Sequence, residues 1–305
     1  MNVFVTGGSG FIGRRLISRL IEEGHEVTVL VRSERSAEVV TRAGAKAVLA
    51  ELSDTAALTR ALAGMDVVFH LAAETDIRAP WERHERVTVE GTRSVVEAAQ
   101  AAGVPRFVHC GTEAALMAGE PLRDVDESAP LRPDSPAAYS ASKAMAEQIV
   151  LDADGPDFTA VVIRPRFIWG PESSLIASFA DAARAVQLPW IEGGHHLTDV
   201  THVDNAVEGL LLGWTRGRAG QAYFVTDQER VDLRDFVSLQ LELAGAPVPD
   251  QEIDAATAEQ IVPVPVLWFL GQSCTLRTAK AVEELGYAPV VSHEVAIAAL
   301  RAADR

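Results

Sequence analysis

The 305-residue chain holds only two cysteines, Cys110 and Cys274. Two thiols in a chain this long do not make a disulfide framework; they point to a reducing compartment, and a cytoplasmic location is expected. Basic residues are scarce: 27 Lys and Arg stand against 43 Asp and Glu, for a net charge of −16. Such a surface repels nucleic acid and anionic lipid, so neither is expected as a partner. No apolar run approaches the roughly 20 residues of a membrane span. The chain opens directly on a strand, so no signal peptide is expected ahead of it. Internal repeats and low-complexity tracts are also lacking. Apolar residues are plentiful, at 48 %. That composition gives a globular chain, long enough for one large core or two modest ones.

Strand-like and helix-like segments alternate through the first half. Strands are expected at 2–5, 26–31, 47–50, 66–71, 106–110 and 159–164, with helices at 14–23, 54–63, 86–102 and 136–151. Alternation of this kind with apolar strands predicts an α/β fold, a doubly wound parallel sheet of the Rossmann type. After Pro165 the rhythm breaks into Gly- and Pro-containing stretches and a helix near 175–186. Residues 203–216 read as a helix capped by Asp204, and 221–225 as a further strand. The division expected is a nucleotide-binding part at 1–165 with about 199–226, and a smaller, discontinuous substrate-binding part at 166–198 and 227–305.

The strand at 2–5 runs into Thr6, Gly7, Gly8, Ser9, Gly10, Phe11, Ile12 and Gly13, and then into an amphipathic helix. Strand, glycine turn and helix together form the context in which a pyrophosphate rests on bare backbone at a helix N-terminus. A glycine-rich turn that binds nothing is the plainer alternative. Further on, Tyr139 and Lys143 stand four residues apart on an expected helix, one turn apart on one face. An ammonium beside a phenol favours the phenolate and lowers its pKa, which suits acid–base work nearer neutral pH. Thr112 follows the strand at 106–110, where its hydroxyl faces the expected ligand crevice and can hold a substrate oxygen; it can equally serve as a strand-ending cap.

These residues, with VVFHLAA (67–73), EGT (90–92), YSASK (139–143), RPRFIWGP (164–171), THVDNAVEG (201–209) and TLRTAKAVEELGYAP (275–289), resemble the extended short-chain dehydrogenase/reductases. The resemblance spans nearly the whole chain. The last two segments favour the 3β-hydroxysteroid dehydrogenase-like branch of the NAD-dependent epimerase/dehydratase superfamily. It implies that Tyr139 is the acid/base residue, that Lys143 binds the nicotinamide ribose and tunes Tyr139, and that Thr112 binds the reacting oxygen. It places Gly7, Ser9, Gly10, Phe11, Ile12 and Gly13 at the cofactor, with Leu71, Ala72 and Ala73 lining it and Pro165 flanking the nicotinamide. Glu51, with Leu52 beside it, stands where an aspartate commonly meets the adenine. Thr88 replaces the usual asparagine, and Cys110 and Gly111 replace small hydroxyl residues.

Cofactor choice turns on the end of the second strand, where Val31 is followed by Arg32, Ser33, Glu34 and Arg35. Arginines there can bind a 2′-phosphate, which favours NADP; Glu34 keeps NAD open. The leading function is an NADP-dependent oxidoreductase that interconverts a carbonyl and a secondary alcohol on a small, apolar or cyclic substrate. A nucleotide-sugar epimerase or dehydratase is the alternative, although Thr112-Glu113-Ala114 lacks a complete acid/base pair after the threonine. A non-catalytic cofactor sensor is the third reading. Leu116, Met117, Trp81 and Trp169 are candidates for an apolar substrate wall or for plain core. His195, His196 and His202 lack compact metal-ligand spacing, so no metal is expected. His70 and His109 read as packed strand residues. Helices 86–102 and 136–151, rich in Ala and Val, are expected to build a homodimer.

Overall fold

The computed structural model describes residues 1–303. Its central sheet contains β1 (Asn2–Thr6), β2 (Glu26–Val31), β3 (Lys46–Leu49), β4 (Val67–His70), β5 (Arg106–Cys110), β6 (Thr159–Pro165) and β7 (Gln221–Val225). The order is β7-β6-β5-β4-β1-β2-β3, and every neighbouring pair is parallel. Parallel strands need helical crossovers that cover both faces of a sheet, which is why Val3–Val5 and Val67–Phe69 are apolar without alternation and fully buried. The helices Phe11–Glu22 and Val203–Arg216 pack on one face through Leu16, Ile17, Leu20, Leu210 and Leu211. The helices Thr55–Leu62, Gly91–Ala101 and Ala138–Asp152 cover the other through Leu58, Val95, Ala99 and Val150.

The chain builds outward from β1 to β3, then crosses back to β4 and continues the other way. The carboxyl ends of β1, β4, β5 and β6 therefore open on one edge, with the switch between β1 and β4. A second core forms beyond the sheet, where Phe167, Trp169, Phe179, Trp190 and Phe236 pack together. Trp169 is fully buried there, which makes it core and not a substrate wall.

Asp227 ties this second core to the sheet. Its carboxylate accepts from the His202 backbone N–H (2.6 Å), Asn205 Nδ2 (2.6 Å), Trp169 Nε1 (2.7 Å) and His293 Nε2 (2.9 Å).

Three local expectations are corrected. The first helix starts at Phe11, directly on the glycine turn, and not at Arg14. The cap of Val203–Arg216 is His202, whose Nδ1 accepts from the Asp204 N–H at 3.3 Å, while Asp204 lies inside the first turn. The segment read as one helix over 86–102 is α-helical at Trp81–His84, π-helical at Glu85–Glu90 and α-helical again at Gly91–Ala101. The wide turn holds Thr88, whose hydroxyl accepts from the Glu74 N–H at 2.9 Å, and Thr92 donates to the Thr88 carbonyl at 2.6 Å. Thr88 therefore anchors the loop after β4, and π segments of this kind recur at functional sites.

Candidate active site

The glycine turn leaves no room for side chains. Gly7 has φ +72°, and a Cβ on it would sit 2.8 Å from the Ala72 nitrogen and the Leu71 carbonyl carbon. A Cβ on Gly13 would lie 2.3 Å from the Gly7 oxygen. Gly10 is the N-cap residue of Phe11–Glu22 and supplies no side-chain cap. The first N–H groups of that helix are thus left for an anion beside Ser9, Phe11 and Ile12. Leu71, Ala72 and Ala73 follow β4 directly alongside, with the Ala72 N–H bonded to Thr6 Oγ1 at 3.2 Å. A cradle that any Cβ would fill suits the pyrophosphate of a dinucleotide.

At the end of β2, Ser33 caps the helix Glu34–Arg42 by accepting from the Ser36 N–H at 3.3 Å. Arg32 and Arg35 flank that cap, both exposed. Neither forms an ion pair among the described residues, and Glu38 pairs with Arg42 instead. Glu51 is exposed just after β3, and the Leu52 side chain packs where a Cβ on Gly91 would lie.

Thr112, Tyr139 and Lys143 converge at the end of β5. Gly111 turns the chain there: its N–H bonds the Ile163 carbonyl at 2.8 Å, and a Cβ on it would meet Val162 at 2.8 Å. Thr112 caps the 3₁₀ turn Glu113–Leu116 by accepting from the Ala114 N–H at 3.3 Å. Tyr139 lies in the first turn of Ala138–Asp152 and packs against the cluster that holds Ala114, Leu116 and Met117. Lys143, one turn on, is buried and donates from Nζ to the Cys110 carbonyl at 2.9 Å. Pro165 ends β6 on the same edge.

The electrostatics differ from the sequence expectation. Burial holds Tyr139 above the ordinary tyrosine range, and the Glu113 charge pushes the same way; only the Thr112 hydrogen bond opposes them. Lys143 is lowered, chiefly by burial. The direction is thus opposite to the expected lowering of Tyr139 by Lys143: burial of the phenol dominates, and the Lys143 ammonium donates to the Cys110 carbonyl.

Sequence reading treated Glu113 only as half of an incomplete pair. It is buried; Oε2 accepts from Thr112 at 2.7 Å and Oε1 from Arg166 Nη1 at 2.5 Å. Arg166 is fully buried, donates from Nε to Thr198 Oγ1 at 2.9 Å, and lies 5.2 Å from the Phe269 ring centroid. The sequence separation of 53 between Glu113 and Arg166 hid this pair from motif spacing.

The histidines divide by environment. His70 bonds Thr6 at 2.7 Å and Thr92 at 2.9 Å, and burial pushes it down to about 3. His109 stacks on it at 5.4 Å between centroids. Burial lowers His109 as well. His195 lies within 4.8 Å, atom to atom, of carboxylates on Asp232 and Asp235, a long-range grouping that sequence spacing missed. Asp232 is engaged there as the cap of Leu233–Leu243. Among the described residues no helix is long and apolar enough to cross a membrane.

Residues 3–225 match the model of the NAD dependent epimerase/dehydratase family. A ketoreductase of Stigmatella aurantiaca, named for 4-hydroxy-2-methyl-3-oxo-4-farnesyl-3,4-dihydroquinoline-1-oxide, is 44 % identical, covering 99 % of this chain and 96 % of its own. The 2-alkyl-3-oxoalkanoate reductase of Stenotrophomonas maltophilia is 32 % identical over 100 % of this chain and 99 % of its own. In fold, the chain matches a dTDP-glucose 4,6-dehydratase from Streptomyces venezuelae solved with NAD, at TM-score 0.82 and 24 % identity, covering 99 % of this chain and 96 % of that one. The chain belongs to the NAD-dependent epimerase/dehydratase family, as an extended short-chain dehydrogenase/reductase of the 3β-hydroxysteroid dehydrogenase-like branch, an oxidoreductase acting between C=O and CH–OH with a nicotinamide cofactor.

Proposed function

We propose that this protein is an NADP-dependent ketoreductase acting on a small, apolar or cyclic ketone, with Tyr139 as the proton donor. The observation that carries the reading is the meeting of Thr112, Tyr139 and Lys143 at the end of β5, on the same sheet edge as the glycine cradle. A bound nicotinamide supplies the hydride. The side chains do the rest. Tyr139 delivers its proton to the oxygen that becomes the alcohol. Lys143 holds the ribose and brings positive charge beside the phenol. Thr112 orients the hydroxyl pair. Arg32 and Arg35, uncommitted to carboxylates and set at a helix N-terminus, suit the 2′-phosphate of NADP. The apolar character of the substrate is supported by the ring ketone in the name of the 44 % identical relative.

The dehydratase alternative needs an unengaged acid and base beside Thr112. Glu113 is paired with Arg166 and is followed by Ala114, so the chain offers no such couple there. A cofactor sensor has no need of the buried lysine and of the tyrosine together.

The test is NADPH consumption by wild type and variants over a panel of cyclic and alkyl ketones. Tyr139→Phe is expected to bind NADPH nearly as wild type while losing about 10²–10⁴-fold in turnover. Lys143→Ala loses both turnover and cofactor affinity, and Thr112→Ala mainly turnover. Near-normal turnover by Tyr139→Phe would remove the mechanism.

A further inference from the structure

Arg14 stands in an unfavourable place. It closes the first turn of Phe11–Glu22, where the helix dipole disfavours a cation, and that turn holds no acidic residue to offset it. Its guanidinium folds back on the glycine turn. Nη1 donates to the Ser9 carbonyl at 3.1 Å, and Nη2 donates to Glu172 Oε2 at 2.8 Å. The Glu172 carboxylate is therefore one guanidinium away from the backbone of the dinucleotide cradle, although a sequence separation of 158 lies between it and Arg14. Arg15 and Arg19, on the same helix, face Asp204 and Glu208 of Val203–Arg216 instead.

Glu172 is also held against a preference. Its φ of +65° lies in the left-handed region, which a residue with a Cβ enters only at a cost. The loop around it is fixed at both ends. Before it, the strand Ile168–Trp169 pairs with Thr201–His202, and a Cβ on Gly170 would meet His202 Nε2 at 2.9 Å. After it, Ser173 donates from Oγ to the Ile168 carbonyl at 3.3 Å and caps Ser174–Arg184. Pro171 and Glu172 form the exposed tip, and among the described residues Arg14 is the partner of the Glu172 side chain.

We propose that the Arg14–Glu172 ion pair is a strap across the mouth of the dinucleotide crevice: it ties the glycine turn to the loop after Ile168–Trp169 and slows exchange of the cofactor. The strap joins the turn after β1 to the segment that follows β6, and β4 and β5 lie between those two strands in the sheet. A dinucleotide that rests its pyrophosphate on the glycine turn and reaches Tyr139 and Lys143 at the end of β5 lies along the stretch that the strap spans. The proposal rests on the nicotinamide cofactor of the family, and not on the ketone substrate or on the choice of NADP.

The chain has five tryptophans, so bound NADPH is followed by energy transfer from tryptophan to the reduced nicotinamide. The preformed complex is mixed with excess NADP⁺ in a stopped-flow instrument, and NADPH release is read with no substrate present. Glu172→Gln keeps the length of the side chain and removes its charge. Neither side chain of the pair is buried, so folding is not at stake. The cofactor is an anion, and loss of a nearby carboxylate would by Coulomb's law alone slow its release. The strap predicts the opposite sign. For an ion pair this exposed, release from Glu172→Gln is expected to be about 2- to 5-fold faster than from wild type. Association is expected to quicken as well, so that Kd moves less than either rate. In an Arg14→Gln background, Glu172→Gln should add no further acceleration. Release from Glu172→Gln that is unchanged or slower overturns the proposal, and so does an equal acceleration once Arg14 is already replaced. NADH release, read the same way with excess NAD⁺, makes the outcome independent of the cofactor preference assigned to Arg32. Turnover of Tyr139→Phe reports separately on the ketoreductase reading, so failure of one is distinguishable from failure of the other.

Discussion

Asp227→Ala is expected to be among the most destabilising single changes in this protein, and the structure gives its size. Four donors converge on the carboxylate, whose side chain is 1 % exposed. Asn205 keeps a second bond from Nδ2 to the Val291 carbonyl at 2.8 Å, and His293 has Glu229 within 3.5 Å. The Trp169 Nε1–H and the His202 backbone N–H have no such fallback among the bonds described. Two buried donors left unpaired cost about 1–3 kcal/mol each, so the expected loss is roughly 2–6 kcal/mol. Against a total stability of about 5–15 kcal/mol that is a large fraction. Asp227→Asn keeps one acceptor oxygen and should lose about half as much. Urea unfolding followed by tryptophan fluorescence is the assay, because Trp169 is itself a partner. A loss below about 1 kcal/mol for Asp227→Ala would show that the four bonds are not the clasp described.

Two further outcomes concern ligand and assembly. Arg32→Ala should weaken NADPH by roughly 10- to 150-fold, the loss of one charge-assisted bond, and leave NADH nearly unchanged; equal NADPH affinity in both proteins removes Arg32 from the role. A homodimer is proposed through the outer sides of Gly91–Ala101 and Ala138–Asp152, whose inward Val95, Ala99, Ala144 and Val150 are spent within one chain while Arg93, Glu97 and Gln148 stay exposed. Light scattering at micromolar concentration is expected to give twice the 32.7 kDa chain mass, and a monomer mass refutes it.

What sequence made legible was local. The glycine turn, the strand-end Thr112 and the four-residue step from Tyr139 to Lys143 each depend on neighbours in the chain, so their spacing carries their geometry. The alternation of apolar strands and helices carried the sheet for the same reason. The partners of those residues were not legible, because they arrive through the fold. Glu113 meets Arg166 only when the 3₁₀ turn after β5 and the segment after β6 are brought together. The direction of the Tyr139 shift then reversed, since burial of the phenol, which residue spacing does not show, raises it, and the Glu113 charge adds to that. Asp204 looked like a helix cap by residue type, yet His202, two residues earlier, accepts from the Asp204 N–H. The π turn at Glu85–Glu90 has no periodicity signal, and the Thr88 it holds meets Glu74 only through the fold.

The Asp227 clasp also sets a pH dependence that needs no substrate to observe. His293 donates to Asp227 at 2.9 Å and has Glu229 within 3.5 Å. Burial alone would lower this imidazole, but the hydrogen bond and the charges of Asp227 and Glu229 outweigh it, so its pKa in the folded protein is raised. A histidine binds its proton more tightly in the folded state when its pKa is raised there. Its contribution is therefore fully present below the unfolded value of about 6.5 and is lost as pH climbs through the higher folded value. His293→Gln removes the titrating group while leaving an amide that can still donate to Asp227. The difference in unfolding free energy between wild type and His293→Gln is expected to be largest near pH 6 and to shrink steadily above about 6.5. The nearby His202 is lowered chiefly by burial, and the His293 charge adds to that lowering. A difference that stays flat with pH, or one that grows as pH rises, would mean that His293 is held neutral and that the C-terminal segment is tied to the sheet by packing and by the Asn205 bonds to Val290 and Val291 alone.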